Sequence, residues 1–502
     1  MKIDRFCAVF LVGLLCLVPV LRTQAQDFKQ HLEGARLTLE TTTTVASGDY
    51  APLWLTANRY GLSSVKPTWN HERARLQRDL AQDEGRPWQL GYGLDVAVAF
   101  GHERTGIVQQ AYVEVAWKRL RLMVGQKELP LEMMNPELAM GAMTFGINAR
   151  PIPKARIDVD WFAFPGTRGW WKWRLYGAYG FYTDGHWQQK WSRPNERYSR
   201  GMLYHEKALH WQVGRPDVLP FTYEIGLNMA AQFGGDSYNV YSTRTPQHEF
   251  HYNSGLRGFW NALVVKGDDI TDGDFPNVAG NHLGSWVMQL RYHGQHWQAR
   301  AYWERFFEDH SNLTVQYGIR DMLLGAEITL PRNPWVSTIV VEGMSTYDQT
   351  GPVFHDPTPT LSDHIAGHDE YYNHLNYPGW QNYGMGVGNP LLLSPLYNQA
   401  LGHDHTLRFY NNRVKACHVG LSGDPSPEWH WAARLTLTRN WGSYYYPLQD
   451  MEHQTYASLQ ATYTPRWAPG WQGTLAAGLD HGRLIGNSTG AQLTIRHSLG
   501  LW

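Results

Sequence analysis

From Leu90 the chain alternates strictly. Leu90, Tyr92, Leu94, Val96, Val98 and Phe100 are apolar, and Gly91, Gly93, Asp95, Ala97 and Ala99 between them are small or charged. The same period of two runs through Phe221 to Phe233, Trp297 to Trp303, Trp431 to Leu437 and Trp471 to Leu479. In an extended chain successive side chains point to opposite faces, so the pattern predicts strands with one apolar and one polar face. A soluble β-sandwich and a membrane-spanning β-barrel both satisfy it.

Three further features favour the barrel. Small and charged residues fill the alternate positions, as in a wet or plugged lumen. Aromatics gather towards strand ends, at Trp117, Trp161, Trp170, Trp171, Trp173, Trp286, Trp297, Trp303 and Trp441, where interfacial girdles sit. Connections alternate in length: Trp117–Leu120 and His293–His296 read as tight turns, whereas 183–207, 235–283 and 345–405 are long and polar. A hairpin with a short turn and a long loop takes about 45–55 residues. The expected fold is therefore all-β, a transmembrane antiparallel barrel of about 18 strands (roughly 16–20). No fixed-period repeat points to a propeller or solenoid.

Two stretches break the alternation. Ala51 to Leu62 has near-helical spacing, and Glu128 to Gly146 is apolar with Pro130, Pro136 and four Met. Both are too short to span a membrane as helices. They read as helical elements, about 50–65 and 128–146, at the periplasmic side or inside the barrel. Residues 70–82 fit a charged helix or a strand.

Composition sharpens this picture. The 502 residues carry 44 Lys plus Arg against 45 Asp plus Glu, which argues against a nucleic-acid partner held by a broad basic face. With 23 Trp, 28 Tyr and 17 Phe at a mean hydropathy of −0.46, the chain has the make-up of a surface that meets lipid or sugar. Lys2 and Arg5 precede the apolar run Phe6–Leu21, and Thr23-Gln24-Ala25 offers small residues for cleavage. Residues 1–25 therefore read as a signal peptide, cut after Ala25, leaving 26–502 as a single barrel domain. Cys417 then has no partner for an intramolecular disulfide. No later run approaches the ~18 apolar residues of a spanning helix. At the C-terminus Leu493, Ile495, Leu499 and Leu501 share a face and Trp502 ends the chain, a terminal strand of the kind read by barrel-assembly machinery.

Candidate chemistry is sparse. Asp363, His364, His368, Asp369, Glu370 and His374 cluster, but no Glu follows His364 as a zinc-protease helix requires. They read as loop residues, and no metal or cofactor is expected. No Gly-x-Ser-x-Gly elbow is present. His282 and Ser285 are close in sequence, which is not a triad. The run Asp369 to Trp380 differs in character. Aromatic faces stack on sugar C–H faces and neighbouring Asn and Asp bond hydroxyls. Asp369, Tyr371, Tyr372, Asn373 and Trp380 are thus candidate carbohydrate-binding residues; equally, the aromatics pin a long loop into the barrel mouth.

Several ordered segments resemble the Wzi family of capsule-assembly proteins. They are Leu53-Trp54, Asn58-Arg59-Tyr60-Gly61, Gly125-Gln126-Lys127-Glu128, Asn148-Ala149-Arg150-Pro151-Ile152-Pro153-Lys154, Gly280 to Ser285, Phe307-Glu308-Asp309, Tyr347 to Gly351, Tyr371-Tyr372-Asn373, Gly379-Trp380 and Gly388-Asn389-Pro390. They span most of the mature chain. Met143 to Ile147 departs from the Ser- and Gly-bearing family pattern before Asn-Ala-Arg-Pro. The resemblance implies an outer-membrane barrel of about 18 strands in a Gram-negative bacterium. It also implies a lectin-like, non-enzymatic role in holding capsular or exopolysaccharide at the cell surface. The expected partners are that polysaccharide, outer-membrane lipid and the assembly machinery, with the barrel a monomer. A porin or saccharide transporter is the alternative.

Overall fold

In a computed structural model, residues 33–240, 248–265, 280–308, 319–353 and 366–501 are described. The alternating segments become eighteen antiparallel strands. They are β1 (Ala35–Ala46), β2 (Thr68–Arg78), β3 (Trp88–Phe100), β4 (Gly106–Trp117), β5 (Leu120–Gln126), β6 (Lys154–Ala163), β7 (Trp171–Phe181), β8 (Leu203–Val213) and β9 (Phe221–Phe233). They continue as β10 (Asn281–His293), β11 (Gln298–Glu308), β12 (Met322–Thr329), β13 (Thr338–Ser345), β14 (Val414–Ser426), β15 (Trp429–Gly442), β16 (Pro447–Tyr463), β17 (Trp471–Gly482) and β18 (Ser488–Leu501). Each pairs with its sequence neighbours. β18 closes on β1, from Ala35↔Leu501 to Ala46↔Gly490. Closure leaves no unpaired edge, which is what permits strands to cross a bilayer.

The faces fall as the alternation requires. Leu94, Val98, Val113, Leu435 and Leu475 are exposed on the outer wall. Glu40, Asp95, Glu114, Glu206, Glu304, Glu342 and Asp480 are buried on the inner one. No helix among the described residues is long and apolar enough to cross a membrane. Connections at one barrel end do not exceed nine residues, the longest being 79–87, while the other end carries loops such as 127–153 and 346–413. Trp117–Leu120 is a tight turn, with Lys118 at φ 55°, and residues 294–297 form another.

Aromatic rings band the short-turn end. Trp88 lies 6.0 Å from Trp117, Trp171 5.8 Å from Trp173, Tyr292 4.6 Å from Trp297, and Trp429 4.7 Å from Tyr463. Three expected girdle residues lie elsewhere. Trp286 and Trp303 sit mid-strand. Trp161 turns inward, because the β6–β7 ladder slips between Val159 and Phe162, and the extra residue of a bulge re-aims the next side chain.

The non-alternating stretches also depart from expectation. Leu53–Thr56 forms one helical turn, but 128–146 contains no regular helix. Pro130 and Pro136 deny it the continuous donors a helix needs. Both stretches belong to the long-loop end and fold into the lumen, so they are lumenal rather than periplasmic elements. Residues 70–78 are strand, followed by a short 3-10 turn at Leu80–Asp83. The expected leader at 1–25, and Trp502, lie outside the described residues.

Candidate functional site

The lumen is filled by a plug. Segments 50–65, 128–152, 182–202 and 369–413 enter from the long-loop end and share one apolar core. Trp54, Tyr372, Trp380, Leu392, Leu393 and Phe409 are wholly buried in or beside it.

Side-chain amides and carbonyls tie the segments together. Asn148 Oδ1 accepts from the Asn58 backbone N–H at 3.1 Å and its amide donates to Gly386 O at 3.0 Å. Asn389 donates to Gly141 O at 2.6 Å, and Asn382 to Arg150 O at 2.9 Å. Gly146 faces the carbonyl oxygens of Val387 and Gly388, each 2.6 Å from where a Cβ would stand. The Asn-Ala-Arg-Pro, Asn-Arg-Tyr-Gly and Gly-Asn-Pro segments are therefore the knots of the plug.

The wall holds these knots through its inward carboxylates. Glu304 accepts the N–H groups of Met143 and Thr144 at 2.8 and 3.2 Å. Glu342 accepts Met140 N–H at 2.6 Å and the Tyr302 hydroxyl at 2.6 Å. Glu308 accepts Tyr372 N–H at 2.6 Å, and Asp480 accepts Leu53 N–H at 2.9 Å. Trp54 donates to Thr436 at 3.0 Å. Glu304, Glu308, Glu342 and Asp480, polar-face charges of the strands, are thus acceptors for plug backbone.

All five proposed sugar-loop residues lie in this plug. Tyr371, Tyr372 and Trp380 are exposed by no more than 1%. Trp380 donates to Thr144 O at 3.2 Å. The Tyr372 hydroxyl donates to Met143 O and accepts Asn389 N–H at 2.9 Å. Asn373 exchanges two hydrogen bonds with Phe409, at 2.8 and 2.9 Å. Asp369 is buried as well. Burial raises both tyrosine pKa values well above the ordinary phenol range. These rings are covered on both faces in this structure, and they pin the loop into the barrel mouth.

The other candidates separate too. Ser285 bonds Thr144 Oγ1 at 2.5 Å, and His282, three positions away on β10, projects to the opposite face. Among the described residues no group of three or more His, Cys, Asp or Glu is placed to hold a metal. Asp363 and His364 lie outside them. Glu370 pairs with Arg408. His374 Nδ1 accepts Asn376 N–H at 3.1 Å, and burial lowers its pKa to about 3.

Below the plug, open towards the short-turn end, is a cavity of about 450 Å³. Seven cations and five carboxylates line it. The carboxylates are all engaged. Glu114 pairs with Lys127 at 2.6 Å, Glu132 with Arg174 at 2.9 Å, and Asp158 with Arg156 at 2.7 Å. Glu206 pairs with Lys154 and Arg156 at 2.6 and 2.8 Å, and Glu224 accepts from Gln289 at 2.6 Å and meets His210 at 3.0 Å. Arg121, Arg150 and Arg291 line the cavity with no carboxylate at ion-pair distance among the described residues. Arg150 rests 4.5 Å above the Tyr383 ring, and burial lowers its pKa to about 10. Trp161 lines the same space. Sequence reading assigned it to the girdle; the adjacent pair Trp161-Phe162, which breaks the alternation, was the available signal of a bulge.

No family model matches the chain, and no curated protein matches its sequence. Solved structures do match in fold. Wzi of Escherichia coli, described as an outer-membrane protein involved in group 1 capsule assembly and a carbohydrate-binding β-barrel, aligns at TM-score 0.56 and 12% identity, covering 96% of this chain and 88% of that one. OprD and OpdL of Pseudomonas aeruginosa align at TM-scores 0.46 and 0.45, with 7% and 11% identity, each over 93% of this chain and over 95% and 99% of theirs. The fold is that of an outer-membrane β-barrel.

Proposed function

We propose that this protein resides in the outer membrane of a Gram-negative bacterium and holds capsular or exopolysaccharide at the cell surface without chemical turnover. The observation that carries this reading is the plug. Four chain segments fill the lumen and are tied to the wall by carboxylate–backbone bonds. A pore needs a water path, whereas a surface holder needs a rigid platform for its loops. The ordered segments shared with the Wzi family, and the fold likeness to a carbohydrate-binding barrel, agree with it. The porin or saccharide-transporter reading draws on the polar cavity at the short-turn end.

Two measurements decide between them. In a deletion strain, polysaccharide should move from the cell-attached to the shed fraction, and complementation should restore it. The purified barrel in a planar bilayer should show little conductance. Steady open-channel current with unchanged polysaccharide retention would favour the transporter and refute the holder.

A further inference from the structure

We infer that the cavity beneath the plug is a binding site for a short acidic oligosaccharide, reached from the short-turn end, with Trp161 as its stacking platform and Arg121 and Arg291 as partners for its carboxylates. The inference deepens the saccharide-holding reading and rests on it for the ligand class. A cavity of about 450 Å³ falls within the roughly 300–1,000 Å³ of small-molecule sites.

Its charge is unbalanced in a specific way. Four of the five lining carboxylates are already paired with a Lys or Arg, and Glu224 is held by Gln289 and His210, so an incoming cation finds no free acceptor. The guanidinium groups left over are those of Arg121, Arg150 and Arg291. Arg121 is exposed into the opening. Arg291 makes two long bonds to the Gln289 carbonyl, at 3.3 and 3.2 Å. A planar fork of donors of this kind matches a carboxylate. The anion must also be partly apolar. The bulge in β6 turns the Trp161 indole into the cavity, half-buried. Among the described residues no ring or cation is recorded over its face. Tyr176 is not available in the same way, because Arg156 covers its ring at 3.6 Å. A bare inorganic anion has no use for a free indole face. A uronate has both a carboxylate for the arginines and a C–H face for the ring. Gln212 and Gln289 line the same wall and have the amide groups that bond hydroxyls.

The test uses the refolded mature chain, with trigalacturonate as the acidic probe, maltotriose as the neutral one and inorganic phosphate as the simple anion. Titration calorimetry should show trigalacturonate bound at least tenfold more tightly than maltotriose, with affinity falling as salt rises. Trp161→Ala should weaken it about tenfold, while Trp161→Phe, which keeps a ring, should retain most of the affinity. The pair Arg121→Gln with Arg291→Gln should remove the acidic preference. Heat-modifiable mobility confirms that each variant is folded. The inference is overturned if the wild-type barrel does not bind trigalacturonate, if the folded variants bind it as the wild type does, or if phosphate binds as tightly. Polysaccharide retention in the deletion strain is a separate readout. Unchanged retention beside intact trigalacturonate binding would defeat the surface-holding reading and leave the site standing.

Discussion

Tyr371 and Tyr372 are neighbours, equally buried, yet losing their hydroxyls should have very different consequences. Tyr372 Oη bridges two plug segments, donating to Met143 O and accepting Asn389 N–H at 2.9 Å. Tyr372→Phe keeps the ring against Phe306 and Phe409 but strands a carbonyl and an amide where nothing is exposed. Each buried group left without a partner costs about 1–3 kcal/mol, so about 2–6 kcal/mol for the two. Tyr371 Oη makes one long bond, 3.3 Å to Asp321. Asp321 keeps the N–H groups of Asp348 and Gln349 in any case, so Tyr371→Phe should cost about 0.5–1 kcal/mol. Hydrogen exchange in bilayer-reconstituted protein reads the difference directly. At about tenfold per 1.4 kcal/mol, amides of 139–150 and 385–393 should exchange roughly 30- to 20,000-fold faster in Tyr372→Phe and less than about tenfold faster in Tyr371→Phe. Strand amides should be unchanged in both. Equal protection in the two variants would refute the claim that the Tyr372 hydroxyl is a knot of the plug.

Gly388→Ala should loosen the same region, because a methyl would run into Met143 O and the Tyr372 hydroxyl; higher conductance at normal barrel yield is the expected readout. Leu227→Arg, on the outer face, should cut folded yield in detergent more than Glu224→Leu, since an outward Arg near mid-bilayer costs about 2–4 kcal/mol whereas Glu224 borders a polar cavity; the reverse order would invert the face assignment. Acid should loosen the plug. Burial holds the pKa values of His374 and His102 at about 3, below the ordinary 6.5, so the unfolded chain binds more protons and their contribution is complete above pH 6.5 and lost as pH falls towards 3. Because both rings are partly exposed, the slope should be about 0.5–1 kcal/mol per pH unit for each. Thermal melting of the plug between pH 7 and 4 should show it, and His374→Gln should flatten it.

The wall was legible because a strand's period is exact and lipid forces it. Leu94, Val96 and Val98 announce one face and Asp95, Ala97 and Ala99 the other, with no knowledge of partners needed. The plug was not legible in the same way. Its backbone bonds run to residues far along the chain, such as Met140 to Glu342 and Leu53 to Asp480, and no local period records such a pairing. Glu342 therefore reads as a generic lumen charge until the structure shows which N–H it accepts. The sugar loop stayed ambiguous for a related reason. Tyr, Trp and Asn are as suited to sealing a buried, hydrogen-bonded plug as to receiving a sugar, and composition cannot separate an exposed ring face from a covered one. Trp161 failed through a single-residue slip. One bulge reverses parity, so an aromatic assigned to lipid faces the lumen instead.

The same geometry makes the barrel and its plug unequal partners. The strand ladder closes through β1–β18 with no contribution from the loops, and its outer face is paid for by lipid rather than by the lumen contents. Were the plug withdrawn, Glu304, Glu308, Glu342 and Asp480 would meet water, which solvates carboxylates well. The plug withdrawn from the barrel would leave Trp54, Tyr372 and Trp380 exposed and its knot amides without the wall carboxylates. Stability should therefore be graded along the molecule, lowest in the plug and highest in the ladder.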